Sequence, residues 1–435
     1  MKQNICRILL LFVFILFSCE DSQTIAEDSP VDNPTQKTPN ILLIIADDMG
    51  LDASPGYNLG AINPTMPNLQ GMVNNGVTFN NVWANPTCTP TRASIITGKY
   101  GFRTGVTKVG DELSTTEISL QEYLNSKNSG YSHAVIGKWH LSSDAAHPLN
   151  MGIDYYAGLL SGGVQSYTNW NFTENSTTNN STEYTTSKFT DLAIDWVDNQ
   201  TKPWFLWLAY NAPHTPFHLP PNNLHTQGSL PSDEASIDAN PRPYYMAMLE
   251  AMDTEMGRLL NSMSDEDREN TLIIFIGDNG TPNQVVQEYN RRRAKGSIYQ
   301  GGIQVPMIIS GKNVTRLNQT EDALINAIDL FATIAEIGGL NTPEINDSKS
   351  FKELLSNSNE SREYIYAEIG TDSGGSDYAV RNTTHKYIFF DNGAEEFYNL
   401  SIDPFETNNL LEESLSVNDN AIKEELISKS VEIRQ

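Results

Sequence analysis

The sequence predicts an α/β protein: a mostly parallel sheet covered by helices on both faces, followed by a smaller antiparallel sheet with a helix. Three observations carry this. Four segments begin as uninterrupted apolar runs: "NILLIIADDMG" (40–50), "YSHAVIGKWHLS" (131–142), "KPWFLWLAYNAPHTPF" (202–217) and "NTLIIFIGDNG" (270–280). A strand apolar along its whole length, instead of alternating, is covered on both faces. Helical periods separate these runs, and strand–helix alternation builds parallel sheets. After about residue 345 the pattern changes to short alternating strands, "YIYAEIG", "YAVRNTTHKYIFFDN" and "EEFYNL", with turn residues between.

At the start of the chain, "MKQNICRILLLFVFILFSCEDS" has basic Lys2 and Arg7, an apolar run from Ile8 to Phe17, then Ser18 and Cys19. This is the layout of a secretory signal, too short for a spanning helix. Leu16-Phe17-Ser18-Cys19 resembles a bacterial lipoprotein box, although Phe17 is bulkier than such a box usually carries. The expectation is a signal over 1–18, a lipid on Cys19, and a disordered tether over the acidic, proline-bearing residues 19–38. That places the protein outside the cytoplasm, anchored at a bacterial outer membrane or cell surface, or otherwise periplasmic. An ordinary signal with an incidental cysteine is the alternative.

Further along, Phe189, Ala193, Trp196 and Val197 share one face of a helix over 187–200. Met248, Leu249, Met252, Met256, Leu259 and Leu260 do the same over 243–263. These methionines read as core filler. Residues 165–186, rich in Thr and Asn with no apolar period, read as a surface loop.

The composition is acidic: 54 Asp plus Glu against 28 Lys plus Arg, a net charge of −26. Such a surface excludes nucleic acid as a partner. An anionic substrate must be held by a local group of cations. If, of the three cysteines, Cys6 leaves with the signal and Cys19 carries lipid, Cys88 has no disulfide partner. A free thiol in an oxidising compartment is either buried or modified.

Ligands of open α/β sheets bind at the carboxyl ends of strands. There the sequence places Asp47, Asp48, Asp278 and Asn279, oxygen donors that suit calcium or magnesium better than zinc. A dizinc site would need several histidines, and only His140 and His214 stand in strand-end contexts. Arg92, Lys138, His140, His214 and Lys295 form a basic group suited to a sulfate or phosphate ester.

These residues resemble the type I sulfatases. Cys88-Thr89-Pro90-Thr91-Arg92 followed by Thr97-Gly98-Lys99 is similar to that family's signature, and "ADDMG", "GKWHL", "APHTPF", "GDNG", "KGSIYQGGIQVP" and "EEFYNLSIDPFETNNL" resemble its further blocks in order. The resemblance runs from residue 39 nearly to the end. Gln300 and Gln304 depart from it, standing where Glu and Arg are frequent, which bears on substrate fit.

The resemblance implies an alkaline phosphatase-like α/β/α sandwich, with a catalytic domain over 39–345 and a C-terminal subdomain over 346–435. It implies that Cys88 is oxidised to formylglycine (3-oxoalanine) by a formylglycine-generating enzyme, and that the aldehyde hydrates to a gem-diol nucleophile. It further implies that Asp47, Asp48, Asp278, Asn279 and an oxygen at position 88 bind calcium. Arg92 and Lys138 would orient the diol, Lys138 and Lys295 would hold sulfate oxygens, His214 would protonate the leaving alcohol, and His140 would act as base.

An exported, lipid-anchored sulfatase suits sulfated polysaccharides of algal type (ulvan, fucoidan or carrageenan), with host glycosaminoglycans behind them. Arg103, His218 and Arg291–Arg293 are candidate sugar contacts. The rival functions are a phosphodiester or phosphonate monoester hydrolase of the same superfamily, a sulfatase for small molecules such as choline sulfate, and a catalytically inactive glycan-binding lipoprotein.

Overall fold

In the computed structural model, residues 37–358 and 362–435 are described. The expected signal, Cys19 and nearly all of the tether lie outside them. Ten strands form the main sheet: β1 (Asn40–Ala46), β2 (Gly76–Trp83), β3 (Ser132–Lys138), β4 (Tyr155–Leu159), β5 (Trp170–Glu174), β6 (Thr177–Ser181), β7 (Trp204–Ala209), β8 (Thr271–Gly277), β9 (Met307–Gly311) and β10 (Gln319–Asn326). Their order is β10-β2-β9-β8-β1-β7-β3-β4-β5-β6. The central five, β8-β1-β7-β3-β4, are parallel, with Leu43 of β1 opposite Trp207 and Ile274. Strand β9 runs antiparallel between β8 and β2.

The apolar runs explain the layers. Ile41, Leu43 and Ile45 face one side, against Ile95 and Ile96, Leu120 and Leu124, and Leu330, Phe331 and Ile334. Those partners come from helices Cys88–Thr97, Leu120–Ser126 and Leu330–Ile337. Leu42 and Ile44 face the other side, against Phe189 and Ala193 and against Met248, Met252 and Met256. These belong to helices Thr185–Asp198 and Arg242–Ser262. Each such side chain, fully removed from water, contributes roughly 1.5–3 kcal/mol before entropy is counted. The methionines are core filler, as their spacing predicts.

Residues 165–186 depart from expectation. They are not a plain surface loop, because β5 and β6 form a hairpin that extends the sheet beyond β4. The two turn residues, Asn175 and Ser176, have φ of 41° and 73°, the left-handed pair that a two-residue hairpin turn requires. Trp170 is buried and Phe172 half-buried against the same core as Phe189. Two aromatics hold the hairpin down, Thr173 is buried with its hydroxyl against that of Thr178, and the Asn side chains of the two strands lie toward water.

After a short pair, β11 (Glu344–Ile345) and β12 (Ser348–Lys349), four strands form the second sheet: β13 (Ile365–Gly370), β14 (Ser376–Arg381), β15 (His385–Phe389) and β16 (Glu395–Asn399). They pair antiparallel in chain order. The closing helix Val417–Arg434 buries Leu426 against Val380, Tyr387 and Phe397. Among the described residues no helix is long and apolar enough to cross a membrane.

Candidate active site

Because β8, β1, β7 and β3 are neighbours, the residues following them meet at one end of the sheet. Asp47 and Asp48 follow β1, Asp278 and Asn279 follow β8, His214 lies beyond β7, and Lys138 ends β3 with His140 two residues on. Gly137 makes the last turn of β3 possible. Its φ is 107°, and a Cβ there would meet the Ala209 carbonyl oxygen at 2.0 Å, so only glycine fits. Helix Cys88–Thr97 follows β2 and brings Cys88, its first residue, and Arg92, one turn later, to the same place.

Arg92 donates through Nε and Nη2 to Asp278 Oδ2 at 3.1 and 2.8 Å, and through Nη1 to the Lys138 carbonyl at 2.8 Å. Lys138 Nζ lies 2.5 Å from Asp47 Oδ2, and Lys295 Nζ lies 2.6 Å from Asp48 Oδ2. Asn279 Nδ2 donates to Asp48 Oδ1 at 2.8 Å, and the Asp48 N–H donates to Asp278 Oδ1 at 3.0 Å. Cys88 Sγ is 3.2 Å from His140 Nδ1. His214 Nε2 stands 3.8 Å from Asp48 Oδ2. Its Nδ1 is 2.7 Å from the Thr215 carbonyl, which can only accept, so Nδ1 carries a proton.

Three carboxylates face three fixed cations here, leaving the buried cluster near neutrality. Burial raises Asp278, and the Asp47 charge beside it adds to this against Arg92 and Lys138. Burial also raises Asp47, but Lys138, His214, Arg92 and Lys295 outweigh it, so the net shift is downward. Burial pushes the Cys88 thiol up. Burial, then Lys138 and Arg92, holds His140 down to about 2, so its ring is neutral.

The donor set fits a hard dication. Ligand atoms of Asp47, Cys88 and Asp278 lie within 4.8 Å of one another, as do those of Asp47, Asp48 and His214. Asp47 Oδ1 and Asn279 Oδ1 are buried without a hydrogen-bond partner. A buried acceptor left bare costs about 1–3 kcal/mol, more when charged, and a cation bound between them would remove that cost. All the fixed side-chain donors are oxygens apart from His214 and the residue at 88, the ligand chemistry of calcium or magnesium.

The sequence-predicted residues thus come together, except for the sugar contacts. Arg103 is not brought to the cluster. Its Nε pairs with Asp347 at 2.8 Å and its Nη2 donates to the Ile433 carbonyl, which ties it to the C-terminal helix. His218 packs on Tyr167, with ring centroids 4.1 Å apart, and its Nε2 lies 3.1 Å from the Tyr184 hydroxyl. Arg293 stacks on Tyr299 and bonds the Glu406 carbonyl, while Arg291 and Arg292 are exposed. Gln300 donates to Gln304, which donates to the Asn80 carbonyl, so these amides brace the loop against β2.

Sequence reasoning missed two supports. Thr89 Oγ1 is 3.2 Å from His140 Nδ1; its place inside the Cys88–Arg92 motif was the available signal. Tyr167 places its hydroxyl 2.7 Å from the Asn211 carbonyl and 2.6 Å from that of His214. Nothing in the Thr/Asn-rich stretch around it marked that role. The loop carrying Lys295 is also held from far along the chain: Lys386 of β15 donates to Glu406 Oε1 (2.5 Å) and the Ile298 carbonyl (2.8 Å), and Glu406 Oε2 accepts the Gln300 N–H at 2.6 Å.

The sulfatase family profile matches residues 39–340 of this chain. The chain belongs to the sulfatase family. A second profile, that of the C-terminal region of N-sulphoglucosamine sulphohydrolase, matches residues 291–434. The chain is 27% identical over 433 residues to an ulvan-active sulfatase of Formosa agariphila, covering 93% of this chain and 82% of that protein. It is 27% identical over 376 residues to the uncharacterized sulfatase YdeN of Escherichia coli (strain K12), covering 73% of this chain and 65% of YdeN. The chain therefore spans less than two thirds of the length of YdeN. Among solved structures, Ps i-CgsB in complex with k-i-k-neocarrahexaose superposes with a TM-score of 0.78 at 24% identity, covering 92% and 93% of the two chains. The PsFucS1 sulfatase from Pseudoalteromonas sp. superposes with a TM-score of 0.72 at 21% identity, covering 91% and 90%. At these identities the likeness of the solved structures is one of fold, the alkaline phosphatase-like α/β architecture of sulfatases.

Proposed function

We propose that this sulfatase-family chain is a sulfuric ester hydrolase that removes sulfate from a sulfated carbohydrate, an algal polysaccharide or its oligosaccharides. The observation that carries the reading is Cys88, buried at the start of its helix with its sulfur among the carboxylates of Asp47 and Asp278 and facing His140. A thiol whose ionisation burial opposes is a poor nucleophile in its own right. The position makes sense for a residue converted to formylglycine, whose hydrate would supply one hydroxyl to attack sulfur and a second whose deprotonation releases sulfate.

Calcium would be held by Asp47, Asp48, Asp278, Asn279 and an oxygen at position 88, where it would supply positive charge to activate the nucleophile and polarise the ester. The chain's own residues do the rest. Arg92, fixed by Asp278 and the Lys138 carbonyl, sits one turn from position 88 and orients its oxygens. Lys138 and Lys295, now on Asp47 and Asp48, can turn to the sulfate oxygens once a dication occupies those carboxylates. Neutral His140 is placed to accept a proton from position 88. His214, with Nδ1–H held by the Thr215 carbonyl, presents Nε2 and would serve as the acid for the departing sugar oxygen when that nitrogen also carries a proton.

The relative that acts on ulvan and the fold neighbour bound to a carrageenan oligosaccharide support an algal substrate. Two measurements test the reading. Peptide mass spectrometry of the enzyme from its own host should find the aldehyde or its hydrate at position 88, and sulfate should be released from members of a panel of defined sulfated oligosaccharides. An active enzyme with an unmodified thiol would sink the mechanism, and faster cleavage of nitrophenyl phosphodiesters than of any sulfate ester would sink the activity. We also propose a lipid on Cys19 and an outer-membrane or surface location. Cys19→Ser should release the protein from membranes with its specific activity unchanged, and continued membrane association would refute the anchor.

A further inference from the structure

A cavity of about 470 Å³ opens beside the cluster, sharing His140 as a wall. Since His140 Nδ1 is 3.2 Å from Cys88 Sγ, the cavity begins one imidazole away from position 88. Its other walls are Asp111 and Glu112, Ser142 and Ser143, residues 160–162, and Asn171, Thr173 and Thr178 of the β5–β6 hairpin. The volume suits one or two sugar rings.

Its charge is one-sided. No lysine or arginine lines it, whereas two carboxylates do. The Asp111 carboxylate is occupied, with Oδ2 accepting the N–H groups of Thr107 and Lys108 at 2.8 and 2.9 Å. Glu112 is exposed, and its Oε1 accepts from the Ser143 N–H at 3.1 Å and from the Ser142 and Ser143 hydroxyls at 3.3 and 3.2 Å. These bonds hold Glu112 below the usual carboxylate range, so it is charged. They also fix both serine protons on Glu112, leaving the serine oxygens and Glu112 Oε2 as acceptors. The wall around Glu112 therefore accepts hydrogen bonds from hydroxyls and repels anions, while Asn171, also in the lining, can both donate to and accept from them.

We infer that this cavity is a glycan subsite specific for an uncharged, hydroxyl-bearing part of the substrate, with Glu112 as the residue that rejects a second sulfate or a carboxylate there. The inference rests on the sulfatase reading and deepens it: the enzyme acts on sugars carrying one sulfate at the scissile position and free hydroxyls beside it. Specificity of this kind is a difference between two affinities, and a like charge facing the unwanted group supplies it.

The test uses the mature full-length enzyme and substrate pairs matched in sugar and linkage that differ by one additional sulfate. N-acetylglucosamine 6-sulfate against its 3,6-disulfate, and carrageenan oligosaccharides with one or two sulfates per disaccharide, are such pairs. The quantity read is the ratio of kcat/KM within a pair, which cancels any difference in the fraction of folded or matured protein. The unsubstituted enzyme should favour the singly sulfated member, and Glu112→Lys should move the ratio toward the doubly sulfated one by about tenfold or more, with Glu112→Gln between them. An unchanged ratio in Glu112→Lys, or a preference of the unsubstituted enzyme for the doubly sulfated member, overturns the inference and leaves the sulfatase reading standing. Absence of sulfate release from every probe by the unsubstituted enzyme removes the reading and the inference with it.

Discussion

Cys88 Sγ and His140 Nδ1 stand 3.2 Å apart, while His214 faces Asp48 across the cluster at 3.8 Å. On the proposed mechanism the two histidines would therefore serve different oxygens. His214→Ala should cost about a hundredfold or more on sugar sulfates, on the scale of a lost general acid. It should cost much less on nitrophenyl sulfate, whose alcohol leaves without a proton. His140→Ala should slow both substrates alike. Equal sensitivity of the two variants to the leaving group would show that the roles are misassigned.

Cys88→Ala should reduce sulfate release to background. The change removes chemistry and one sulfur atom, so stability should shift by no more than about 1–2 kcal/mol. Parallel thermal melts and sulfate assays check this, and residual turnover above background would remove position 88 from the reaction.

Asp278→Asn should lower turnover at least about a hundredfold, the scale of losing one strong electrostatic stabiliser. It should also shrink the rise in melting temperature that calcium gives, because only the metal-bound state loses a charged ligand. Chelation should abolish activity in the unsubstituted enzyme, and calcium should restore it better than zinc.

Histidines lowered by desolvation set an acid limit on stability, among them buried His133 and half-buried His218 alongside His140. Burial lowers His133, whose Nδ1 accepts the Asp154 N–H at 3.2 Å, and pushes His218 down to about 4. Below about 6.5, the unfolded-chain value, the unfolded state binds more protons than the folded one. These groups' contribution is thus complete above that pH and is lost as pH falls toward 4. Melting temperature should drop over that window, and His218→Phe, which keeps the stack on Tyr167, should flatten the slope. An identical slope would remove His218 as a cause.

Glu406→Ala strands Lys386 as a buried, unpaired charge and should cost roughly 3–5 kcal/mol. The Gln300 N–H loses its acceptor as well, so the loop bearing Lys295 should loosen. Kinetics on the folded fraction should show a raised KM in addition to the lower melting temperature.

What the sequence made legible follows from burial. Asp47, Lys138, His214 and Asp278 stood out because each ends an apolar run too continuous to be anything but a central strand. Helix Arg242–Ser262 was legible from its methionine spacing. The β5–β6 hairpin was not, since two aromatics at Trp170 and Phe172 suffice to seat it and its turn is Asn-Ser, a weaker signal than Asn-Gly. Arg103 and His218 looked available to a substrate because a sequence shows charge and ring but not prior commitment, here to Asp347 and to Tyr167. Glu112 carried no mark at all, because its meaning depends on Ser142 and Ser143, thirty residues on in the sequence and hydrogen-bonded beside it in the cavity wall.

The hold of Glu406 and Lys386 on the Lys295 loop has an outcome for synthesis. A chain released from the ribosome before residue 406 can lay down the main sheet and gather its carboxylates, yet it lacks the brace for one of the site's three cations. Products terminated before Glu406 should therefore be inert toward the substrate, with the segment around Glu406 serving as the latch that arms the site.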